Sequence, residues 1–333
     1  MAAVVASVAR TTTTSAKAAL GTSTSAMTGD VLFDCVATQH AARGGSWGNV
    51  LDAGTGSHSL KWLLERKDVA SVTAVTADKG MAATCASLAA RYTKAGAPDE
   101  SRAEIVIGNW DDEDLLEGRT YDIILADYLV GAMDGFSPCV KEGAAADAAA
   151  LFPFLLHAPT YHSYSPTHLD PLRYTQDLIF GRLKKHLSPS GALYVVGLQP
   201  VPDYGKGDGA KLIGEVRRLR DACILLAGHR MYREYPPSWI ERSLKQHGYD
   251  VGGSKSFPIL YSYESINRQI SVAERKLPLI KDEALREKLQ AHVDDLRTRV
   301  KAAVDEEPTK RVRLGADYVI GAWNGEAGTG EES

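Results

Sequence analysis

The chain has 333 residues, 44% of them hydrophobic and 24% charged, which is typical of a globular protein that buries a substantial core. Its 38 basic and 42 acidic residues give a net charge of −4, so the charge balance argues against a general nucleic-acid binder or an anionic-membrane binder. The four cysteines form no Cys-x-x-Cys pair, which favours reduced thiols over a disulfide framework or a zinc site. No apolar run approaches the length of a bilayer-spanning helix.

The two ends of the chain differ from the rest. Residues 1–29 are mostly Ala, Thr, Ser and Val, and Arg10 and Lys17 are their only charged residues. This composition indicates either a disordered tail or a transit peptide, although two basic residues are few for the latter. Residues 324–333 form a second, polar and glycine-rich tail. We therefore predict one domain over 30–323 in a cytoplasmic protein, or in a plastid or mitochondrial one if the first segment is a transit peptide.

A strand, a glycine turn and a helix are predicted in succession near the start of this domain. A first helix over 30–42 precedes the segment 49–60, NVLDAGTGSHSL, in which an apolar run ends at DAGTG and a new apolar pattern then begins. We expect Gly54 and Gly56 to take positive φ and to let a ligand approach the main chain. The free N–H groups of the following helix are expected to point to the same place.

The Asp-x-Gly-x-Gly sequence of this turn resembles motif I of the class I S-adenosylmethionine-dependent methyltransferases. The resemblance implies that the cofactor is S-adenosyl-L-methionine and that the turn binds it through Asp52, Gly54, Thr55 and Gly56. An acid at this position suits a ligand with an ammonium group and repels a phosphate. Ser59 replaces the third glycine of a dinucleotide site, which disfavours an NAD-linked oxidoreductase. A tight turn in some other α/β protein is the alternative.

The second predicted strand, 71–76, leads into a polar turn. The resemblance implies an acid here that accepts hydrogen bonds from the ribose hydroxyls. The acid of this sequence, Asp78, comes two residues after the apolar run, so we predict Asp78 as the ribose ligand and Thr76 as its substitute. A helix N-cap is the other role that Asp78 could have. A helix is predicted over 81–92.

The third predicted strand, 103–107, is followed by the sequence Gly-Asn-Trp-Asp-Asp. In the methyltransferases this position often carries a polar residue that binds the adenine amine and an apolar wall beside the ring. Asn109 or Asp111 could bind the amine, and Trp110 offers a face for stacking. Ordinary packing beneath a loop is the alternative role for Trp110.

The fourth predicted strand, 121–126, is a nearly continuous apolar run, typical of the middle of a parallel sheet. The resemblance places its end next to the reactive methyl group. Asp127 and Tyr128 are therefore the candidate catalytic residues, with Asp127 also a cofactor contact and Asp134 behind them. The sequence is not the Asn/Asp-Pro-Pro-Tyr of enzymes that methylate amines in nucleic acids, which argues against such a substrate. Capping of the next turn is the alternative role for Asp127.

Residues 132–170 lack periodicity and are rich in alanine, then in Pro, His and Tyr. A stretch of this length inside a compact domain predicts a lid or substrate loop. His157, His162 and His168 lack the spacing of a helical metal pair, so no metal site is predicted.

The second half of the chain alternates helices and strands. We predict helices over 174–186, 210–227 and 237–247, and strands over 192–197, 257–261 and 317–322. In the methyltransferase sheet, strands six and seven form a hairpin whose last strand is antiparallel. Here a helical hairpin, 263–306, interrupts that connection. The fold class predicted is thus a three-layer Rossmann-like α/β sheet, mostly parallel, with strand seven antiparallel and a helical insertion before it.

The second helix of this insertion has one apolar face, formed by Leu285, Leu289, Val293, Leu296, Val300 and Val304. Periodicity alone does not say what this face covers. Its own sheet, the substrate mouth and a second subunit all remain open, and the last of these would make the protein a homodimer.

Together these features predict in-line methyl transfer from the cofactor to an O, N or S atom of a small molecule. Three arginines, Arg230, Arg233 and Arg268, are candidates for binding a carboxylate or phosphate on that substrate. A protein or peptide methyltransferase is the second interpretation, and a non-catalytic partner-binding protein built on the helical hairpin is the third. An aminopropyltransferase shares the fold and stays open.

Overall fold

In the computed structural model the described residues are 30–92, 102–136, 175–202 and 205–324. Seven strands form one sheet: β1 (Gly48–Asp52), β2 (Val69–Thr76), β3 (Ala103–Ile107), β4 (Tyr121–Asp127), β5 (Leu187–Leu198), β6 (Tyr249–Tyr261) and β7 (Val312–Asn324). Their order across the sheet is β3-β2-β1-β4-β5-β7-β6. Strands β1 to β5 pair in parallel, whereas β7 is antiparallel to both β5 and β6. The predicted fold class is confirmed.

Helices cover both faces of this sheet. They are α1 (Val31–Arg43), α2 (Ser57–Glu65), α3 (Lys79–Ala89), α4 (Leu129–Phe136), α5 (Thr175–Lys185), α6 (Asp208–Leu226), α7 (Pro237–Gln246), α8 (Tyr263–Glu274) and α9 (Glu283–Glu306). Within the described ranges, no helix is both long and apolar enough to cross a membrane.

The central strand β4 shows how the three layers are held together. Ile123 and Leu125 pack into the core under α1, α2 and α3, whereas Ile124 and Ala126 pack into the core under α4, α5 and α7. Successive side chains of a strand point to opposite faces, so an apolar run without alternation must be covered on both sides. The continuous apolar sequence of β4 is therefore explained by its two buried faces.

The insertion between β6 and β7 forms a third core with α6. The apolar face of α9 is buried at Val293, Leu296, Val300 and Val304, in one cluster with residues of α6 and α8. Leu285 and Leu289 are partly buried against the same cluster. This face is thus occupied within the chain, and the feature that suggested a homodimer is explained by intramolecular packing.

Several elements differ from the sequence prediction, and strands β5 and β7 each begin five residues before the predicted starts of 192 and 317. The stretch predicted to be irregular from residue 132 begins inside α4, which continues to Phe136; residues 137–170, with the three histidines, lie outside the described residues. Strand β6 begins at Tyr249 instead of 257. Its early part contains a register shift between Val251 and Ser254, where two glycines interrupt the apolar pattern.

Candidate functional site

A cavity of about 770 Å³ lies at the carboxyl ends of the strands. Its lining includes the glycine turn after β1, the ends of β2, β3, β4 and β5, and a segment that follows α6. Ligands of open α/β sheets bind in the crevice outside the carboxyl ends of the strands. The volume falls within the roughly 300–1,000 Å³ that small-ligand pockets usually have.

The glycines of the first turn are needed for space and not for positive φ. Gly56 has a φ of −122° and Gly54 also lacks positive φ, so the expectation of a left-handed turn is wrong. A Cβ atom on Gly54 would lie 3.0 Å from Leu129 Cδ1 and 3.1 Å from its Cβ, because the turn packs against the start of α4. A Cβ atom on Gly56 would meet nothing within 4 Å. Both glycines line the cavity, and Gly56 leaves main chain open to it.

Asp52 is fully buried and does not line the cavity. Its Oδ2 atom accepts hydrogen bonds from Thr55 Oγ1 at 2.6 Å and from Ser59 Oγ at 2.7 Å. Burial raises the pKa of the Asp52 carboxyl to about 7, a shift that these two bonds oppose and that nearby Asp127 increases. The expectation that Asp52 faces a ligand is therefore corrected: its carboxyl braces the turn and the first turn of α2 from behind.

Thr55 belongs to the same braced turn. Its backbone N–H donates to Val75 O at 2.9 Å, which joins the turn to the end of β2. The side chain is 3% exposed and lines the cavity.

At the end of β2, Thr76 lines the cavity and Asp78 does not. Asp78 caps α3, because its Oδ1 atom accepts from Gly80 N at 2.7 Å and from Met81 N at 3.0 Å. The Thr76 hydroxyl in turn accepts the backbone N–H of Asp78 at 3.2 Å. Of the two predicted ribose ligands, Thr76 therefore lies in the cavity wall, whereas Asp78 has its alternative role as a helix N-cap.

Asn109 and Trp110 both line the cavity after β3, whereas Asp111 does not. The indole N–H of Trp110 donates to the carbonyl oxygen of Ala53 at 2.5 Å, so the ring is fixed to the glycine turn. Trp110 is 4% exposed and is part of the core under α4. The Trp110 side chain thus packs in the core and also lines the cavity. It holds the ends of β1 and β3 together.

Asp127 and Tyr128 line the cavity at the end of β4. Asp127 is only 8% exposed. Tyr128 has a φ of +53°, which is uncommon for a residue other than glycine, and its hydroxyl donates to Asp317 Oδ1 at 2.7 Å. Asp134 lies in α4, and its side chain is outside the described part of the chain.

Comparison with solved structures finds chains of similar architecture. A putative methyltransferase from Bacillus halodurans C-125 is 13% identical over 87% of this chain and 98% of that one, with a TM-score of 0.46. A putative sarcosine dimethylglycine methyltransferase from Galdieria sulphuraria is 12% identical over 87% and 84%, with a TM-score of 0.43. An S-adenosylmethionine-dependent methyltransferase from Thiobacillus denitrificans, in complex with S-adenosyl-L-homocysteine, is 15% identical over 87% and 91%, with a TM-score of 0.40. No protein-family model and no curated protein sequence matches the chain.

The order and direction of the strands define the fold. A doubly wound sheet of order 3-2-1-4-5-6 is fully parallel, whereas here the antiparallel β7 lies between β5 and β6. The chain therefore has the Rossmann-like α/β fold predicted from the sequence, with strand seven antiparallel. In this fold, the glycine turn after β1 and the end of β4 meet at one cavity.

Of the three predicted substrate arginines, only Arg233 lines the cavity. Its backbone N–H donates to Gly131 O at 3.0 Å, and a Cβ atom on Gly131 would lie 2.5 Å from Arg233 O. The segment around Arg233 therefore packs directly on α4. Arg230 is exposed, and Arg268 lies on α8 within the insertion; both are outside the cavity wall. Their expected role in substrate binding is not supported by their position.

The sequence prediction missed several residues of this wall. Tyr232, Glu234 and Tyr235 line the cavity beside Arg233, and so does Arg220 of α6. Glu234 Oε2 accepts the backbone N–H of Val201 at 2.8 Å, and burial raises the pKa of the Glu234 carboxyl. Tyrosines clustered in an aperiodic segment were a signal that could have been used, since loops at strand ends often carry binding residues.

The described residues contain no group of three or more His, Cys, Asp or Glu side chains that could bind a metal ion.

Proposed function

We propose that this protein is an S-adenosylmethionine-dependent methyltransferase that acts on a small molecule. The observation that supports it is one continuous cavity with two chemically different halves. The half over β1, β2 and β3 contains the glycine turn, Thr76 and Asn109–Trp110, which suit an adenosine-bearing cofactor. The half over β4, β5 and β7 contains Asp127, Glu234 and Tyr318, which suit an acceptor.

The residues of the first half fit the cofactor. Gly56 offers open main chain at the start of α2, where the helix N-terminus favours an anionic group such as the carboxylate of the methionine part. Thr76 would hold the ribose through its hydroxyl, and Trp110 would form an apolar wall beside the adenine with Asn109 near the amine. When bound, the cofactor supplies a methyl group on a sulfonium, which is a good leaving group.

The residues of the second half orient the acceptor and exclude water. Tyr235 and Tyr318 contribute aromatic surface to the wall, and a small molecule held against them would be kept in line and shielded. Asp127 is the carboxylate at the end of β4, and we assign it the role of taking a proton from the acceptor. A concave site of this volume suits a small molecule more than a long polymer.

The non-catalytic interpretation was built on the helical hairpin as a partner-binding module. The apolar face of this hairpin is buried against α6 and α8, so this face does not offer a surface to a partner. The acceptor atom, O, N or S, is left open by this proposal.

Product identification tests the proposal. The purified protein is incubated with methyl-labelled S-adenosylmethionine and a metabolite extract, and products are found by mass and by the label. We expect a labelled product one methyl group heavier than its precursor, and we expect Asp127→Asn to abolish it while cofactor binding is retained. Asp112→Asn, a change at an acid outside the cavity wall, is the matched control. Cofactor consumption without any labelled small molecule would contradict the small-molecule acceptor. Full activity of Asp127→Asn would contradict the role assigned to Asp127.

A further inference from the structure

Arg220 is a charged residue of the cavity wall. It lies in α6, its side chain is 17% exposed, and it lines the cavity together with Glu234. The two residues are close enough that the Arg220 charge lowers the pKa of Glu234, against the larger effect of burial. A guanidinium that is mostly buried and still borders a cavity is placed to meet a ligand there.

The guanidinium of Arg220 is held from two sides. Its Nε and Nη2 atoms lie 2.8 and 2.7 Å from Asp221 Oδ1, and its Nη1 atom donates to Gln269 Oε1 at 2.8 Å. Gln269 belongs to α8, so the helical insertion supports a side chain of the cavity wall. Within the described residues these contacts use three of the five N–H donors of the guanidinium, which leaves two for a ligand.

The two arginines and two acids around Arg220 balance each other in charge, so any preference for an anion must come from the remaining N–H donors of Arg220. Asp221 is bound to Arg220 through a single carboxylate oxygen, and the neighbouring Glu234 is paired with Arg217, whose Nη1 lies 3.6 Å from Glu234 Oε2. Each acid of this cluster thus has its own arginine. An arginine with remaining donors binds a planar carboxylate particularly well, because its N–H groups form a fork that matches the two oxygens.

The cavity that Arg220 borders also has aromatic side chains in its wall. Tyr235 and Tyr318 line it, and Tyr235 lies 4.6 Å from Trp239, ring centroid to ring centroid, so its ring is packed in place. We propose that Arg220 binds the carboxylate of an aromatic carboxylic acid, the acceptor of the methyl group, and that Gln269 positions the Arg220 guanidinium. The acceptor role rests on the proposed function, whereas the carboxylate site itself does not.

Paired acids and amides test this site. Binding of benzoate, phenylacetate and cinnamate, and of the corresponding neutral amides, is measured by ligand-observed NMR on the full chain saturated with S-adenosyl-L-homocysteine and on the chain alone. We expect the wild type to bind at least one acid about tenfold or more tightly than its amide, and Arg220→Gln to lose that preference. Arg218→Gln is the matched control, because Arg218 is exposed on the same helix and outside the cavity wall.

Two further variants separate positioning from folding. Arg220→Lys keeps the charge beside Asp221 but loses the fork, so we expect it to fold and to show a reduced preference for the acids. Gln269→Leu is expected to weaken acid binding while amide binding and the unfolding midpoint stay as in the wild type. Equal binding of acids and amides by the wild type, or an undiminished preference in both Arg220 variants, would overturn the site. Arg220-dependent acid binding by a chain that does not bind S-adenosyl-L-homocysteine would retain the site and refute the proposed function instead.

Discussion

The hydroxyl of Tyr128 lies 2.7 Å from Asp317 Oδ1, and this hydrogen bond connects the end of β4 to β7 across the intervening β5. The backbone N–H of Tyr128 also donates to Val196 O of β5 at 2.9 Å. Both contacts hold a residue whose φ of +53° is otherwise unfavourable. We therefore infer that Tyr128 shapes the floor of the cavity, whereas the catalytic role predicted for it stays a prediction.

The Tyr128–Asp317 bond should appear as a coupling energy. Tyr128→Phe keeps the ring and removes the donor, so we expect the free energy of unfolding to fall by about 1–2 kcal/mol. In a double-mutant cycle with Asp317→Ala, the loss of stability in the double mutant should be about 1 kcal/mol smaller than the sum of the two single losses, because either change breaks the same bond. Urea unfolding of the four proteins measures this quantity, and simple additivity of the two effects would show that the bond contributes nothing.

The buried carboxyl of Asp52 predicts a pH-dependent stability. Its pKa of about 7 in the folded protein lies above the ordinary value of 3.8, so between these two pH values the folded chain holds a proton that the unfolded chain has released. The contribution of Asp52 to the free energy of unfolding should therefore decrease as the pH rises from about 4 to about 7, by at most about 1.4 kcal/mol per pH unit.

The variant Asp52→Asn isolates this effect, since it keeps an acceptor oxygen for Thr55 or Ser59 and cannot titrate. Urea unfolding of both proteins at several pH values from about 5 to about 8 gives the difference between their free energies of unfolding. We expect the wild type to lose stability relative to the variant as the pH rises. A difference that stays constant over this window would mean that Asp52 is ionised throughout.

Gly54 and Gly56 should respond differently to the same substitution. At Gly54 an added Cβ approaches Leu129 to 3.0 Å, so Gly54→Ala should lower the free energy of unfolding by about 1–3 kcal/mol. At Gly56 the added Cβ meets nothing, so Gly56→Ala should change it by less than about 0.5 kcal/mol. The larger Gly56→Val should weaken binding of S-adenosyl-L-homocysteine about tenfold or more while the protein stays folded. Unchanged binding by Gly56→Val would remove this turn from the cofactor site.

The fold was predictable because the apolar patterns of individual segments agree with the places of these segments in the sheet. Strand β3 has the predicted bounds of 103–107, and the apolar runs of β2 and β4 end at the predicted turns within a residue. Short apolar runs bounded by turn residues favour strands that are buried on both faces, and this pattern predicted their place in the middle of a parallel sheet. The helical insertion was predicted from a regular apolar face for the same reason.

The parts that the sequence did not predict depend on tertiary contacts. The early part of β6 contains two glycines and has weak strand propensity, and its pairing with β7 is what makes it a strand. In the candidate site, Arg230 and Arg233 are equivalent in the sequence, and only packing of that segment on Gly131 decides which of them lines the cavity. Arg220 was missed because a charged residue in an amphipathic helix is usually exposed.

Calorimetric titration of the wild-type chain with S-adenosyl-L-homocysteine tests the central claim most directly, since it requires neither the acceptor nor turnover. We expect saturable binding at about one site per chain, at micromolar or tighter affinity, which corresponds to a binding free energy of about −8 kcal/mol or more negative. We also expect clearly weaker binding by Gly56→Val. A folded protein that gives no binding heat and no rise in unfolding temperature with this ligand or with S-adenosyl-L-methionine would contradict the account.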